Sequence, residues 1–98
     1  MTTASVTKNS IHVRGHAGAG PPGQDIVCAG ISTLVQTLIR SIESLTDDTI
    51  TYSISPGMVD IDFEELTEVS RTLVDSFFIG MSAIAQAYPE NLRITGEP

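Results

Sequence analysis

Residues 49–63 read TITYSISPGMVDIDF. Apolar and polar residues alternate on both sides of a Pro–Gly pair. Ile50, Tyr52 and Ile54 fall on one side of an extended chain. Val59, Ile61 and Phe63 do the same after the turn, with Asp60 and Asp62 opposite them. A period of two marks half-buried strands, and Pro56–Gly57 is a turn dipeptide. The spacing predicts an antiparallel hairpin.

The period changes to about 3.6 on either side of the hairpin. Downstream, Leu66, Val69, Leu73, Phe77, Met81, Ile84 and Tyr88 form a helical stripe. A helix is expected from about Glu64 to Tyr88, capped by Asp62 or Thr67 and stopped by Pro89. Glu64, Glu65 and Glu68 suit its positive N-terminal end. Phe77–Phe78 and Met81 read as core and dimer contact. Upstream, Val27, Ile31, Leu34, Leu38, Ile42 and Leu45 predict a helix over Ile26–Leu45, with Asp25 as its N-cap.

Further out, SIHVR alternates, placing Ile11 and Val13 on one face and His12 and Arg14 on the other. The first nine residues read as a short edge strand or a disordered tail. NLRIT reads as a last short strand. The order is ββαββαβ, with the first strand short or absent. The expected fold is α+β: a two-layer sandwich of a mostly antiparallel sheet with two helices on one face. A chain of 98 residues fits one domain, residues 1–98.

Twelve acidic residues against five basic ones give a net charge of −7. That argues against binding nucleic acid, which needs clustered Lys and Arg. It also disfavours an anionic membrane surface. The acidity suits a cationic protein partner or simple solubility. No apolar run approaches the roughly 20 residues of a membrane helix, and no secretory signal is recognised. With one cysteine, no intramolecular disulfide is possible, and a reducing cytoplasm is the expected compartment.

That cysteine, Cys28, ends the stretch GHAGAGPPGQDIVC, residues 15–28, and His16 stands near its start. With Asp25 as cap, Cys28 lies in the first helical turn. There the helix dipole favours negative charge by roughly 0.3–1 kcal/mol, too little alone to ionise a thiol at neutral pH. An imidazolium nearby would complete the activation. His16 would then protonate a leaving amine, while helix-start amides hold the oxyanion. Spacing alone proves nothing and favours a small buried cysteine packed in a helix beside a histidine that satisfies a turn.

GHA, a loop and then GQDIVCAGIS resemble the signature of the ribosomal-processing cysteine protease family, Prp. The similarity extends along nearly the whole chain, including AYPENLRI after the second helix. The resemblance implies a cysteine endopeptidase that works without a cofactor and forms homodimers. Its implied substrate is a large-subunit ribosomal protein precursor with a short N-terminal extension, or a phage capsid protein. It makes Cys28 the nucleophile and His16 the general acid–base, with Asp25 and Ser32 in supporting positions. The loop from Ala17 to Gln24, with Gly18, Gly20, Pro21, Pro22 and Gly23, would close over substrate. Only 15 residues precede His16, which suggests a stubby first strand. The loop also lacks the aromatic and charged residues that family loops often carry.

Other readings remain beside these. Asp25 either caps the helix or orients His16. Ser32, one turn beyond Cys28, bonds near the thiol or back to a backbone carbonyl. His12 reads as a solvated strand residue. The acidic residues Asp47–Asp48 and Asp60 to Glu68 read as solvated faces or as an attraction for a basic substrate. His12, His16, Asp25 and Cys28 match no standard zinc spacing, so no metal is expected. A non-catalytic binding protein and a redox-reactive thiol are the rival functions. The second lacks a resolving cysteine.

Overall fold

A computed structural model describes residues 1–16 and 25–96. The chain forms β1 (Thr2–Val6), β2 (Ser10–Arg14), α1 (Ile26–Leu45), β3 (Ile50–Ser55), β4 (Met58–Phe63), α2 (Glu68–Ala87) and β5 (Leu92–Gly96). One five-stranded sheet has the order β3-β4-β2-β1-β5. Three of its pairings are antiparallel, and β1 with β5 is parallel. This is the α+β sandwich that the alternation implies.

The first nine residues are neither a tail nor an edge. β1 has five residues, as β2 and β5 do, and lies between them. A tight turn joins β1 to β2. The Thr7 amide donates to the Ser10 carbonyl (2.9 Å), and the Ser10 amide donates to Thr7 Oγ1 (3.0 Å). Side-chain bonding of this kind closes a hairpin within a few residues.

Both helices lie on one face for a topological reason. β2–α1–β3 and β4–α2–β5 each link parallel strands. The strands of the two units run oppositely, and the crossovers move oppositely across the sheet. These reversals cancel, so two right-handed crossovers place their helices on the same side. The helices run antiparallel and close together. A Cβ built on Gly80 would stand 2.9 Å from Leu34 Cδ2, and one on Gly30 would stand 3.3 Å from Ile84 Cδ1.

Paired rows carry the core across the sheet. Tyr52, Ile61, Ile11 and Val6 form one row, and Ile54, Val59, Val13 and Ala4 form another. Ala4, Val6, Ile11, Val13, Ile61, Phe63 and Leu92 are buried beneath the helices. Val27, Ile31, Val35, Leu38, Ile39 and Ile42 face them from α1. By length and composition alone α1 could cross a membrane, contrary to the reading of the apolar runs. In the fold, its buried stripe packs in the core instead.

Several stripe positions lie elsewhere than expected. Leu45 (67% exposed), Val69 (53%) and Tyr88 (38%) are uncovered, whereas Val74 is buried. Phe77 and Met81 are buried in the core, which removes them as dimer contacts. Tyr52 (48%) and Ile54 (44%) are exposed although their row partners are covered. Five strands about 4.8 Å apart are wider than a pair of helices about 8–10 Å apart can roof, so the β3 edge is left open.

The α1–α2 junction explains where α2 begins. Thr46 caps α1, its Oγ1 donating to the Ile42 carbonyl (2.8 Å). Asp48 Oδ2 accepts from the Thr67 amide (3.0 Å) and hydroxyl (2.7 Å). This carboxylate fixes Thr67 as the residue before α2, so the helix starts at Glu68 rather than Glu64. Hydrogen bonds from Ser70, then from the Thr67 hydroxyl and amide, hold Asp48 below the usual carboxylate range.

Two predictions follow from these contacts. Gly15, at φ +95°, has space for no Cβ, which would stand 2.5 Å from the Met1 carbonyl oxygen. Gly15→Ala should lose more than about 2 kcal/mol in urea unfolding. Wild-type stability would contradict this packing. Asp48 contributes stability that is full above its unfolded pKa and lost as pH falls through its lower folded value. Asp48→Asn should therefore be less stable than wild type at pH 7, with the gap closing below about pH 4. Urea midpoints across that range check the sign, and a constant gap would refute it.

Candidate active site

α1 brings the thiol to one end of the sandwich. Its C-terminal end reaches Asp47 and Asp48, which share a cleft with Asn9 and Phe63. Asn9 lies in the β1–β2 turn, so the start of α1 lies at the opposite end, where β2 finishes at Arg14. His16 follows two residues later. The fold thus carries His16 and Cys28 to the same end, both exposed. No hydrogen bond joins their side chains in this structure.

Asp25 is the N-cap of α1, and its Oδ1 accepts from the Cys28 amide (2.9 Å). The capping reading of Asp25 holds. It also changes the expected oxyanion site, because the Cys28 amide is already engaged. The amides of Ile26 and Val27 remain at the helix start, since the Ala29 amide donates to the Asp25 carbonyl (3.1 Å). Ser32 is exposed one turn beyond Cys28. Thr33 and Thr37 donate back to the carbonyls of Ala29 and Thr33 at 2.8 and 2.7 Å. Ser32 makes no such bond among the described residues. Gly18, Gly20, Pro21, Pro22 and Gly23 lie outside the described residues.

His16 rests on the β3–β4 turn, a neighbour that the sequence reading did not connect with it. A Cβ placed on Gly57 would lie 3.0 Å from His16 Nε2 and 3.3 Å from Cε1. The backbone just before His16 is tied to the same turn, the Gly15 amide donating to the Gly57 carbonyl (2.9 Å). The Pro–Gly dipeptide signals a turn, but nothing in it signals a histidine across the sheet.

The second histidine belongs elsewhere. His12 Nδ1 lies 2.5 Å from Asp60 Oδ1, and Arg14 Nη2 donates to the same oxygen (2.5 Å). His12, then Arg14, hold the Asp60 carboxyl below its usual range. His12 is therefore hydrogen-bonded to Asp60 on the open sheet face, with 38% of its side chain still exposed. Among the described residues no cluster of three His, Cys, Asp or Glu side chains could hold a metal ion.

The acidic residues gather away from the thiol. Asp47, Asp48, Asp62, Glu64 and Glu65 line the cleft at the far end of α1. Cys28 and Leu45, near the two ends of α1, are 17 positions apart, about 25 Å along the helix axis. Whatever that cleft attracts does not sit at Cys28.

Comparisons with known proteins bear on this arrangement. A family model described as Cysteine protease Prp matches residues 1–93. The ribosomal processing cysteine protease Prp of Staphylococcus aureus (strain Mu50 / ATCC 700699) is 27% identical over 103 residues, covering 96% of this chain and 97% of that protein. That of Bacillus subtilis (strain 168) is 26% identical over 96 residues, covering 88% and 83%. The S. aureus protease in complex with a covalently linked product peptide has a TM-score of 0.94 at 24% identity, over 99% of this chain and 100% of that one. At that identity the likeness is one of fold. SMU.848 from Streptococcus mutans is 31% identical with a TM-score of 0.79, covering 97% of this chain and 90% of that one. With its family model spanning nearly every residue, the two ends of its His–Cys motif carried to one end of the fold, and its helices and strands in the same arrangement, the chain belongs to the cysteine protease Prp family.

Proposed function

We propose that this chain is a cysteine endopeptidase that removes an N-terminal extension from a large-subunit ribosomal protein precursor or a phage capsid protein. Cys28 is its nucleophile and His16 its general acid–base. One observation carries the reading: in a chain of the cysteine protease Prp family, the only thiol stands exposed in the first turn of a capped helix, at the end of the fold that holds His16.

The chemistry follows from those positions. His16 takes the thiol proton as Sγ attacks the scissile carbonyl carbon. The oxyanion that forms is held by the helix-start amides of Ile26 and Val27, aided by the helix dipole. The C–N bond breaks as His16 gives its proton to the leaving amine, which leaves a thioester on Cys28. Water, deprotonated by His16, attacks the thioester and releases the new carboxyl terminus and the thiol. Asp25 acts through the helix: it holds the Cys28 amide and so fixes the backbone that carries Sγ. Ser32 lies beside the thiol's helix face, open to bond with substrate.

The chain works as a homodimer in the cytoplasm. The uncovered β3 edge, with Tyr52 and Ile54 exposed, supports a partner copy, because an open strand edge invites pairing. Sedimentation at micromolar concentration should give twice the 10.4 kDa chain mass. A monomer at every concentration contradicts that part.

The test of function is cleavage, read by mass spectrometry, of the source organism's own extended ribosomal protein precursor. Wild type should make one defined cut, and Cys28→Ala none. His16→Ala should lower kcat by about 10²–10⁴-fold. Asp25→Asn should keep the cap and most activity, whereas Asp25→Ala should lose about 1 kcal/mol of stability. Normal processing by Cys28→Ala would end this reading. Binding of the precursor without any cut would favour a non-catalytic binding protein.

A further inference from the structure

The proposed dyad leaves one question open: what aims the imidazole? His16 lies beyond the end of β2, on an exposed segment with no hydrogen bond to its ring among the described residues. Yet general acid–base work needs the ring held to within a fraction of an ångström and a few tens of degrees.

The β3–β4 turn supplies the support. Ser55-Pro56-Gly57-Met58 reverses the chain with Gly57 at φ +70°, the position where a Pro–Gly turn demands glycine. The Gly15 amide bonds the Gly57 carbonyl at 2.9 Å and fixes the main chain one residue before His16. The ring then lies over the side of Gly57 where a Cβ would project. The ring atoms nearest to a Cβ built there are Nε2 (3.0 Å), Cε1 (3.3 Å) and Cδ2 (3.7 Å). Nδ1 is not among them, so the Nε2 edge rests on the turn and Nδ1 is turned away from it. A methyl group at 3.0 Å would press on Nε2, and the imidazole would have to give by a few tenths of an ångström.

We propose that Gly57 is a positioning residue for His16. It acts by having no side chain: the turn seats the imidazole on its Nε2 edge and leaves Nδ1 as the nitrogen that exchanges a proton with Cys28. This rests on the dyad reading above, but the seat itself can be observed without turnover.

The experiment compares wild type, Gly57→Ala, Gly57→Asn and a synthetic chain with D-alanine at position 57. Asparagine tolerates positive φ yet adds a Cβ toward the ring. D-alanine suits positive φ and puts its methyl on the other side of Cα. Two readouts are taken: the nuclear Overhauser contact between His16 ring protons and Gly57 Hα protons, and kcat and KM on the ribosomal precursor. Wild type and the D-alanine chain should show the contact and equal kcat. Gly57→Ala and Gly57→Asn should stay folded by circular dichroism, shift the His16 ring resonances and lose about 10–100-fold in kcat, with KM within about threefold. No ring contact in wild type, or wild-type kcat in Gly57→Asn, would overturn the proposal. If wild type does not cut the precursor, the substrate reading fails and the ring contact alone decides the seat.

Discussion

The close approach of three backbones at one end of the sheet sets where the chain places His16. The Gly15 amide bonds the Gly57 carbonyl, while the Met1 carbonyl oxygen lies only 2.5 Å from where a Gly15 Cβ would be. Only glycine fits between them. That junction joins the N-terminal residue, the end of β2 and the β3–β4 turn. It decides the direction in which the chain leaves the sheet, and therefore where His16 lies. The α1 N-cap does the corresponding work for Cys28, since the Asp25 carboxylate fixes the first helical turn. A histidine and a cysteine twelve positions apart are thus placed independently, each by a backbone constraint, before any interaction between them is considered.

The two ends of the sandwich are chemically unlike. The end that carries His16 and Cys28 is built from glycine, proline and backbone contacts, with Asp25 engaged in capping. The other end gathers Asp47, Asp48, Asp62, Glu64 and Glu65. Within it Asp48 ties Thr67 to the start of α2 and Thr46 ties α1 to Ser70. Asp25 is bonded to the Cys28 amide at the start of α1, whereas the acidic cleft lies beyond the far end of that 20-residue helix.

The hairpin at 49–63, the extent of α1 and the Asp25 cap were legible in the sequence because each rests on local chemistry: alternation, helical period, a side chain that bonds three residues on. What was not legible rests on distant contacts. The start of α2 depends on Asp48 reaching Thr67, 19 residues away. Ile50, Tyr52 and Ile54 alternate as well as any buried strand, but the helix pair is too narrow to cover Tyr52 and Ile54. β1 gave no sign that it lies inside the sheet, because its parallel pairing with β5 joins opposite ends of the chain. For the candidate site, the Cys–His motif identified the chemical groups, and the family resemblance gave them roles. The seat of His16 on Gly57 required the fold.

The measurement that bears most directly on the dyad is the rate of Cys28 alkylation by iodoacetamide against pH, in wild type and in His16→Ala. It needs no substrate and reports the thiolate itself. The account predicts that wild type reacts faster than His16→Ala near neutral pH, and that the two rates converge at high pH, where the thiol ionises unaided. Superimposable profiles would mean that His16 does not activate Cys28, and the proposed mechanism would be wrong.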